Sequence, residues 1–184
     1  MRINIILLSV LLGAILTSCE DELDERPTDE MLRFEAYMRV HYPNLEPKES
    51  GLYFLNLSGN MDSQVSPDSG NYILYDYSIQ NLDGKVVETT NRQTAWLHDI
   101  LSNTTNYAPS FRMYSPPQRP LVKGIAEGIG YMNEGDSVRL FMPSSLAYGN
   151  RTYKGLPPYT SIIVDIVLHR VLSLIHISEP TRPY

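Results

Sequence analysis

The chain has a single cysteine in 184 residues. One thiol makes neither an internal disulfide framework nor a cysteine-based zinc cluster. Tryptophan occurs once and phenylalanine four times, against thirteen tyrosines. The aromatic weight therefore rests on a residue with a polar tip, which suits half-exposed positions in β structure. Basic residues are not in excess: the formal net charge is -6. No Arg/Lys stripe is present, so the electrostatic footprint of a nucleic-acid binder is missing. His41, His98 and His169 are scattered without metal-ligand spacing, so no metal is expected. There is no Ser/His/Asp nucleophile set and no phosphate-cradling glycine loop, and no cofactor is expected. Oligomeric state is left open by the sequence.

What is present is unevenly placed. Residues 1–18 read MRINIILLSVLLGAILTS, with a short basic start at Arg2 and an apolar run from Ile5 to Leu16. The run is too short to span a bilayer, which takes about 20 apolar residues, and has the length of a signal-peptide core. Leu16-Thr17-Ser18-Cys19 resembles a lipobox, in which the cysteine thiol is acylated and the chain is cut just before it. Cys19 is thus the expected lipidation site. Several acyl chains, at about 0.8 kcal/mol per buried methylene, would anchor the protein stably without spanning the membrane. Residues 20–30 hold seven acids against Arg26, whereas residues 31–171 hold 13 acids and 12 bases. The segment 19–30 is therefore expected to be a solvated linker, extended or disordered. Its acids after Cys19 also resemble the export signal of some Gram-negative surface lipoproteins. The expected location is a Gram-negative cell envelope, lipid-anchored, with the outer membrane favoured and its face left open.

The other end departs from the rest. Leu172 to Arg182 looks like the in-frame translation of a transposon-end adapter used in preparing sequencing libraries. Residues 172–184 are read as foreign to the natural chain, and His176 and Glu179 are left out of any site.

Between these ends lies an α+β pattern. Thr28 is a fitting N-cap with Asp29 and Glu30 behind it. Met31, Phe34, Tyr37, Met38 and His41 follow at helical spacing, giving an N-terminal helix and connector over 31–49, either on the domain edge or as a spacer. Strands are expected at 51–57, 72–79, 86–90, 110–114 and 161–171. Leu82-Asp83-Gly84-Lys85 marks a hairpin turn of Asp-Gly type. Ala95 to Leu101 suggests one or two helical turns, and Ser115-Pro116-Pro117 a turn. A short helix at 125–131 precedes a strand in which Val138, Leu140 and Met142 alternate with Ser137, Arg139 and Phe141. Several antiparallel strands with one short helix near the end imply an α+β domain.

The motifs narrow this further. Gly124-Ile-Ala-Glu-Gly128 precedes Met132-x-x-Gly-x-x-x-Arg-Leu-x-x-Pro143-x-x-Leu146-Ala-Tyr-Gly149. Then comes Gly155-x-Pro-Pro158-x-x-x-Ile-Ile-Val-Asp-Ile-x-Leu168. This order is similar to the C-terminal half of FKBP-type peptidyl-prolyl cis-trans isomerases, and the Asp83-Gly84-Lys85 hairpin with Glu88-Thr89-Thr90 matches the earlier half. The likeness covers roughly residues 50–171. It implies an antiparallel β-sheet curled around a short α-helix, with a substrate pocket between them. It also implies isomerisation of Xaa–Pro bonds in proline-containing polypeptides, here in exported proteins of the envelope.

The resemblance transfers the pocket residue by residue. Tyr77 matches a wall tyrosine, and Glu88 stands where aspartate is usual. Val87 stands where phenylalanine is usual. Phe111 or Met113 lies near another aromatic wall position. Val122 matches an aliphatic residue whose backbone N–H grips the substrate. Ile125 replaces the tryptophan of the pocket floor. Tyr148 matches the tyrosine whose hydroxyl donates to a substrate carbonyl. Tyr153 and Leu156 lie on the following loop, and Val164 replaces another phenylalanine. Three large aromatics have thus become Val, Ile and Val, each losing contact worth about 1–2 kcal/mol by area. Weakened activity is one consequence. A catalytically weak binding or chaperone module, or an accessory surface lipoprotein, are the alternatives.

Overall fold

The computed structural model describes residues 24–58, 63–115 and 122–173. The leader, Cys19, the linker before Asp24, Pro116-Pro117 of the expected turn and the tail from residue 174 lie outside these residues. Among the described residues no helix is long and apolar enough to cross a membrane.

The first helix, α1, runs Arg26–His41. It begins earlier than the apolar spacing indicates, so the expected linker ends at Glu25 rather than Glu30. Pro27 explains the shift: proline in the first turn gives up an N–H that has no intrahelical partner anyway. Glu25 is the N-cap without a side-chain bond, and Thr28 lies inside the helix. The helix ends at Tyr42, whose N–H donates to Met38 O at 2.8 Å, because Pro43 disfavours helical geometry at the residue before it.

Among the described residues six strands form one antiparallel sheet: β1 Tyr53–Ser58, β2 Tyr72–Asn81, β3 Val86–Thr89, β4 Ser110–Met113, β5 Ser137–Met142 and β6 Ile162–Leu172. The order is β1-β5-β6-β2-β3, with β4 also on β2. Strand β2 pairs with β6 along its length, while its other edge takes β4 at Tyr72–Tyr75 and β3 at Ser78–Gln80. Strand β6 extends to Leu172, opposite Tyr72, one residue beyond the expected domain limit.

The β2–β3 turn differs in type from the expected one. Gly84 sits at φ 81°, and Asp83 does not have positive φ. Gly84 N–H donates to Asn81 O at 3.1 Å, and Asn81 Oδ1 accepts from Asp83 N and Lys85 N at 3.1 and 2.8 Å. This is a turn closed by one left-handed glycine rather than a two-residue turn needing positive φ twice.

Helix α2, Arg92–Leu97, starts at Asn91, whose side chain accepts from Thr94 N. It stops before the expected Leu101 because Asp99 turns left-handed at φ 57°. Ile100 N then donates to Ala95 O, and Asp99 N to Trp96 O, a paired closure of the last turn. Helix α3 is Lys123–Gly130.

The strand alternation divides the sheet into two faces. Val138, Leu140 and Met142 join Ile162, Val164, Ile166 and Leu168 around Ile125 and Ile129 of α3 in the main core. On the other face Phe141 and Ile163 pack with Phe34 and Met38 of α1. The N-terminal helix is therefore a cover for the second face of β5 and β6, beyond the edge or spacer role its sequence indicates.

Candidate active site

Residues opposite each other in adjacent strands share a face, and a one-residue shift changes the face. Strand β2 points Ile73, Tyr75, Tyr77 and Ile79 to the core side by its period of two. Glu88 of β3 lies opposite Ile79, and Arg112 of β4 lies opposite Ile73. Val122 caps α3, and Ile125 lies in its first turn. These side chains meet Tyr148 and Tyr153 around a cavity of about 140 Å³ lined by Tyr75, Tyr77, Ile79, Glu88, Arg112, Val122, Ile125, Tyr148 and Tyr153.

One carboxylate organises the polar wall. Glu88 Oε1 accepts from Tyr77 Oη at 3.0 Å and faces Lys154 Nζ at 2.8 Å. Its Oε2 accepts from Tyr153 Oη at 2.6 Å. The Tyr153 ring stacks on Tyr148, with centroids 3.9 Å apart and 12° between planes. Burial works against the Glu88 anion, but the bonds from Lys154, Tyr153 and Tyr77 prevail and hold its pKa below the ordinary carboxylate value. Burial pushes Tyr77, Tyr148 and Tyr153 well above the usual phenol range, and the Glu88 charge adds to it in each case. The three hydroxyls stay neutral donors at any physiological pH.

The loop that brings Tyr148 and Tyr153 here is built of tight turns. It follows a 3-10 turn at Ser144–Leu146. Gly149 N donates to Ser144 O at 2.8 Å, and Tyr153 and Leu156 exchange backbone bonds of 3.1 and 2.7 Å. Lys154 and Gly155 both have positive φ, 43° and 82°. A lysine there is uncommon, and it places its ammonium on Glu88.

The structure brings together Tyr77, Glu88, Val122, Ile125, Tyr148 and Tyr153 of the residues singled out from sequence. It leaves the others elsewhere. Phe111 is 54% exposed and Met113 46%, with Phe111 stacked on Tyr72. The register pairs them with Leu74 and Tyr72, on the face away from the cavity, and Arg112 takes the wall position instead. Val87 packs against the main core. Val164 is fully buried between Ile79 and Leu140 of its neighbouring strands. Leu156, 3% exposed, fixes the loop from within the core. Sequence reasoning missed Tyr75 and Ile79, although both lie two residues from Tyr77. It also missed Arg112 and Lys154, which only strand register and loop closure bring to the site.

A larger open groove of about 610 Å³ lies between α1, the β2–β3 turn and residues 157–161. Its carboxylates and guanidinium groups are spread along solvent-open walls, whereas the small cavity concentrates half-buried tyrosines around one ion pair. The smaller space is the candidate site. Among the described residues no group of three His, Cys, Asp or Glu is placed to hold a metal ion.

The fold is shared with known proteins. The crystal structure of FkpA from Escherichia coli superposes with a TM-score of 0.61 at 17% identity, over 90% of this chain and 70% of that one. A peptidyl-prolyl cis-trans isomerase from Pseudomonas syringae pv. tomato gives 0.59 at 18% identity, over 82% of this chain and 96% of that one. The FK506-binding protein of Neisseria meningitidis is 33% identical over 90 residues, 46% of this chain and 79% of that protein. The FkpA isomerase of Buchnera aphidicola subsp. Acyrthosiphon pisum is 26% identical over 94 residues, which is 50% of this chain. The match spans only 39% of that relative's length. The family model for FKBP-type peptidyl-prolyl cis-trans isomerase matches residues 63–169, and the chain belongs to that family.

Proposed function

We propose that this protein catalyses cis–trans isomerisation of Xaa–Pro bonds in proline-containing polypeptides of the cell envelope. The observation that carries the reading is the Tyr77–Glu88–Tyr153 hydrogen-bonded wall with Tyr148 stacked on it, over an apolar floor at Ile125. An Xaa–Pro amide rotates over a barrier of about 18–20 kcal/mol because of its partial double bond. The reaction breaks no covalent bond, so it needs no nucleophile and no metal. It needs a site that fits the twisted amide better than the planar one.

The residues suit that task. Ile125, Val122 and the tyrosine rings supply a dry seat for a prolyl ring. Tyr148, kept neutral by burial, supplies an O–H donor for a neighbouring carbonyl. Glu88 accepts from the surrounding hydroxyls and so fixes the wall against which the ring turns. The aliphatic floor makes this a shallower grip than an indole would give.

Location is part of the same proposal. An apolar leader followed by Cys19 supports export and a lipid anchor, with the outer membrane as the expected site. Incorporation of labelled palmitate that is lost in Cys19→Ala tests the anchor. NMR exchange measurements on an Xaa–Pro peptide test the activity. Exchange cross-peaks that appear with catalytic amounts of protein are expected. Peptide binding without accelerated exchange would instead favour a binding module.

A further inference from the structure

We propose that Glu30 of α1 is a positioning residue for this site, holding both ends of the loop that carries Tyr148 and Tyr153. The proposal rests on the isomerase reading of the cavity. Glu30 lies well before residues 63–169, the part that matches the family, and nothing in its sequence neighbourhood distinguishes it from the other acids around it.

The geometry is specific. Ser144 N donates to Glu30 Oε1 at 2.9 Å, and Ser144 Oγ to Oε2 at 3.0 Å. Ser161 Oγ also donates to Oε1. Ser144 opens the 3-10 turn that leads to Tyr148, and Ser161 is the last residue before β6. Both serines are nearly fully buried, at 4% and 3% exposure. A single carboxylate therefore clamps the exit and the return of the loop. The same helix docks Phe34 and Met38 on Phe141 and Ile163, which flank those serines in β5 and β6. Arg26 adds a contact over the Tyr159 ring, 5.2 Å from its centroid.

The loop needs such a clamp. It holds positive φ at Gly149, Lys154, Gly155 and Tyr159, and two of these are residues for which that geometry is costly. Its internal ties run from Ser144 through Gly149 to Tyr159. They set the loop's shape; its middle is seated by Tyr153 and Lys154 on Glu88 and by Leu156 in the core, and its two ends by Glu30. Without the carboxylate, buried donors of Ser144 and Ser161 lose their acceptor, and the loop shifts to find water. Only a fraction of molecules then has Tyr148 and Tyr153 over the cavity. Apparent affinity falls in proportion to that fraction, while turnover by the closed molecules is unchanged.

The test compares the full chain with Glu30→Ala and Glu30→Gln. It uses steady-state isomerisation of an Xaa–Pro peptide and amide hydrogen exchange. For Glu30→Ala, KM is expected to rise roughly 5- to 10-fold with kcat within about twofold, as a smaller competent fraction requires. The amides of Gly149, Leu156 and Tyr159 exchange faster. Glu30→Gln keeps an acceptor for Ser144 N and Ser161 and offers an amide to Ser144 Oγ, so it restores both readouts. A purely structural role would either inactivate part of the protein irreversibly, lowering kcat with KM at its wild-type value, or loosen the whole fold, so that amide exchange rises across the sheet and not in the loop alone. Either result, unchanged loop exchange, or a Gln variant as defective as Ala would overturn the proposal. Ser161→Ala removes one bond from outside the helix and is judged by the same criteria if Glu30→Ala fails to fold. A wild-type chain without turnover would count against the isomerase reading, while loop exchange would still decide the role of Glu30.

Discussion

Glu88 and Tyr153, 65 residues apart, meet with their oxygens 2.6 Å from each other across the mouth of the cavity. The bond joins β3 to the loop before β6. It makes the wall of the site a tertiary object, since neither segment alone provides it.

The wall should impose an acid limit on stability. Against the effect of burial, the bonds from Lys154, Tyr153 and Tyr77 hold the pKa of Glu88 in the folded state below the ordinary carboxylate value. A lowered folded pKa means the contribution is present above the unfolded value and is lost as pH falls through the folded one. Glu88→Gln lacks this titration. The stability difference between wild type and Glu88→Gln, measured by urea unfolding at successive pH values, should be constant from neutrality to about pH 5 and shrink below it. A difference that stays constant into strong acid would show that the carboxylate is not held as described.

The tyrosines set the opposite limit. Burial raises the pKa of Tyr77, Tyr148 and Tyr153 above the ordinary phenol value. A raised folded pKa means their contribution is full below the unfolded value and is lost as pH rises through the folded values. Ultraviolet titration should find these phenols silent through pH 10 in the folded protein, with their ionisation coinciding with unfolding at higher pH. Stepwise ionisation of all thirteen tyrosines near pH 10 in a folded chain would contradict the burial of the cluster.

Tyr148→Phe should separate the donor from the ring. The stacked face against Tyr153 remains, so the melting temperature should change little. Losing one hydrogen bond to the reacting group costs about 1–1.5 kcal/mol, which corresponds to a roughly tenfold lower kcat/KM. Exchange NMR on an Xaa–Pro peptide reads the rate. Full activity in this variant would remove Tyr148 from the site.

Ile125 serves floor and core together. It is 5% exposed and belongs to the main core. Ile125→Ala should cost about 2–4 kcal/mol in unfolding free energy, seen as a lower urea midpoint with unchanged slope. Peptide KM should rise as well, because the same methyl groups face the cavity. A stability loss without any change in peptide KM would place Ile125 in the core alone.

Helix α3 depends on a glycine for its approach to the sheet. A Cβ at Gly128 would overlap the side chain of Leu140, which is fully buried in the main core. Alanine would favour the helix by about 1 kcal/mol, but overpacking costs typically 1–3 kcal/mol, and the overlap should prevail. Gly128→Ala is expected to lower the thermal midpoint. A raised midpoint would show that α3 and β5 can separate freely.

The sequence by itself determined the elements and much of the site's cast. Period-two alternation marks β5 and β2, since a strand with one buried face must repeat that way. The family resemblance, carried by the motifs around Gly124 and Tyr148 and by the Asp83-Gly84-Lys85 hairpin, implied Tyr77, Glu88, Val122, Ile125, Tyr148 and Tyr153, which the fold gathers at one cavity. The tertiary structure decided the rest. Register alone turned Arg112 inward and Phe111 outward, because neighbouring residues of a strand point to opposite faces. Loop closure alone brought Lys154 to Glu88, through backbone angles that no local pattern announces. The pairing of Glu30 with Ser144 and Ser161 spans more than a hundred residues. Along the chain Glu30 is one acid among many, and only the docking of α1 on the second face of the sheet gives it buried donors to hold.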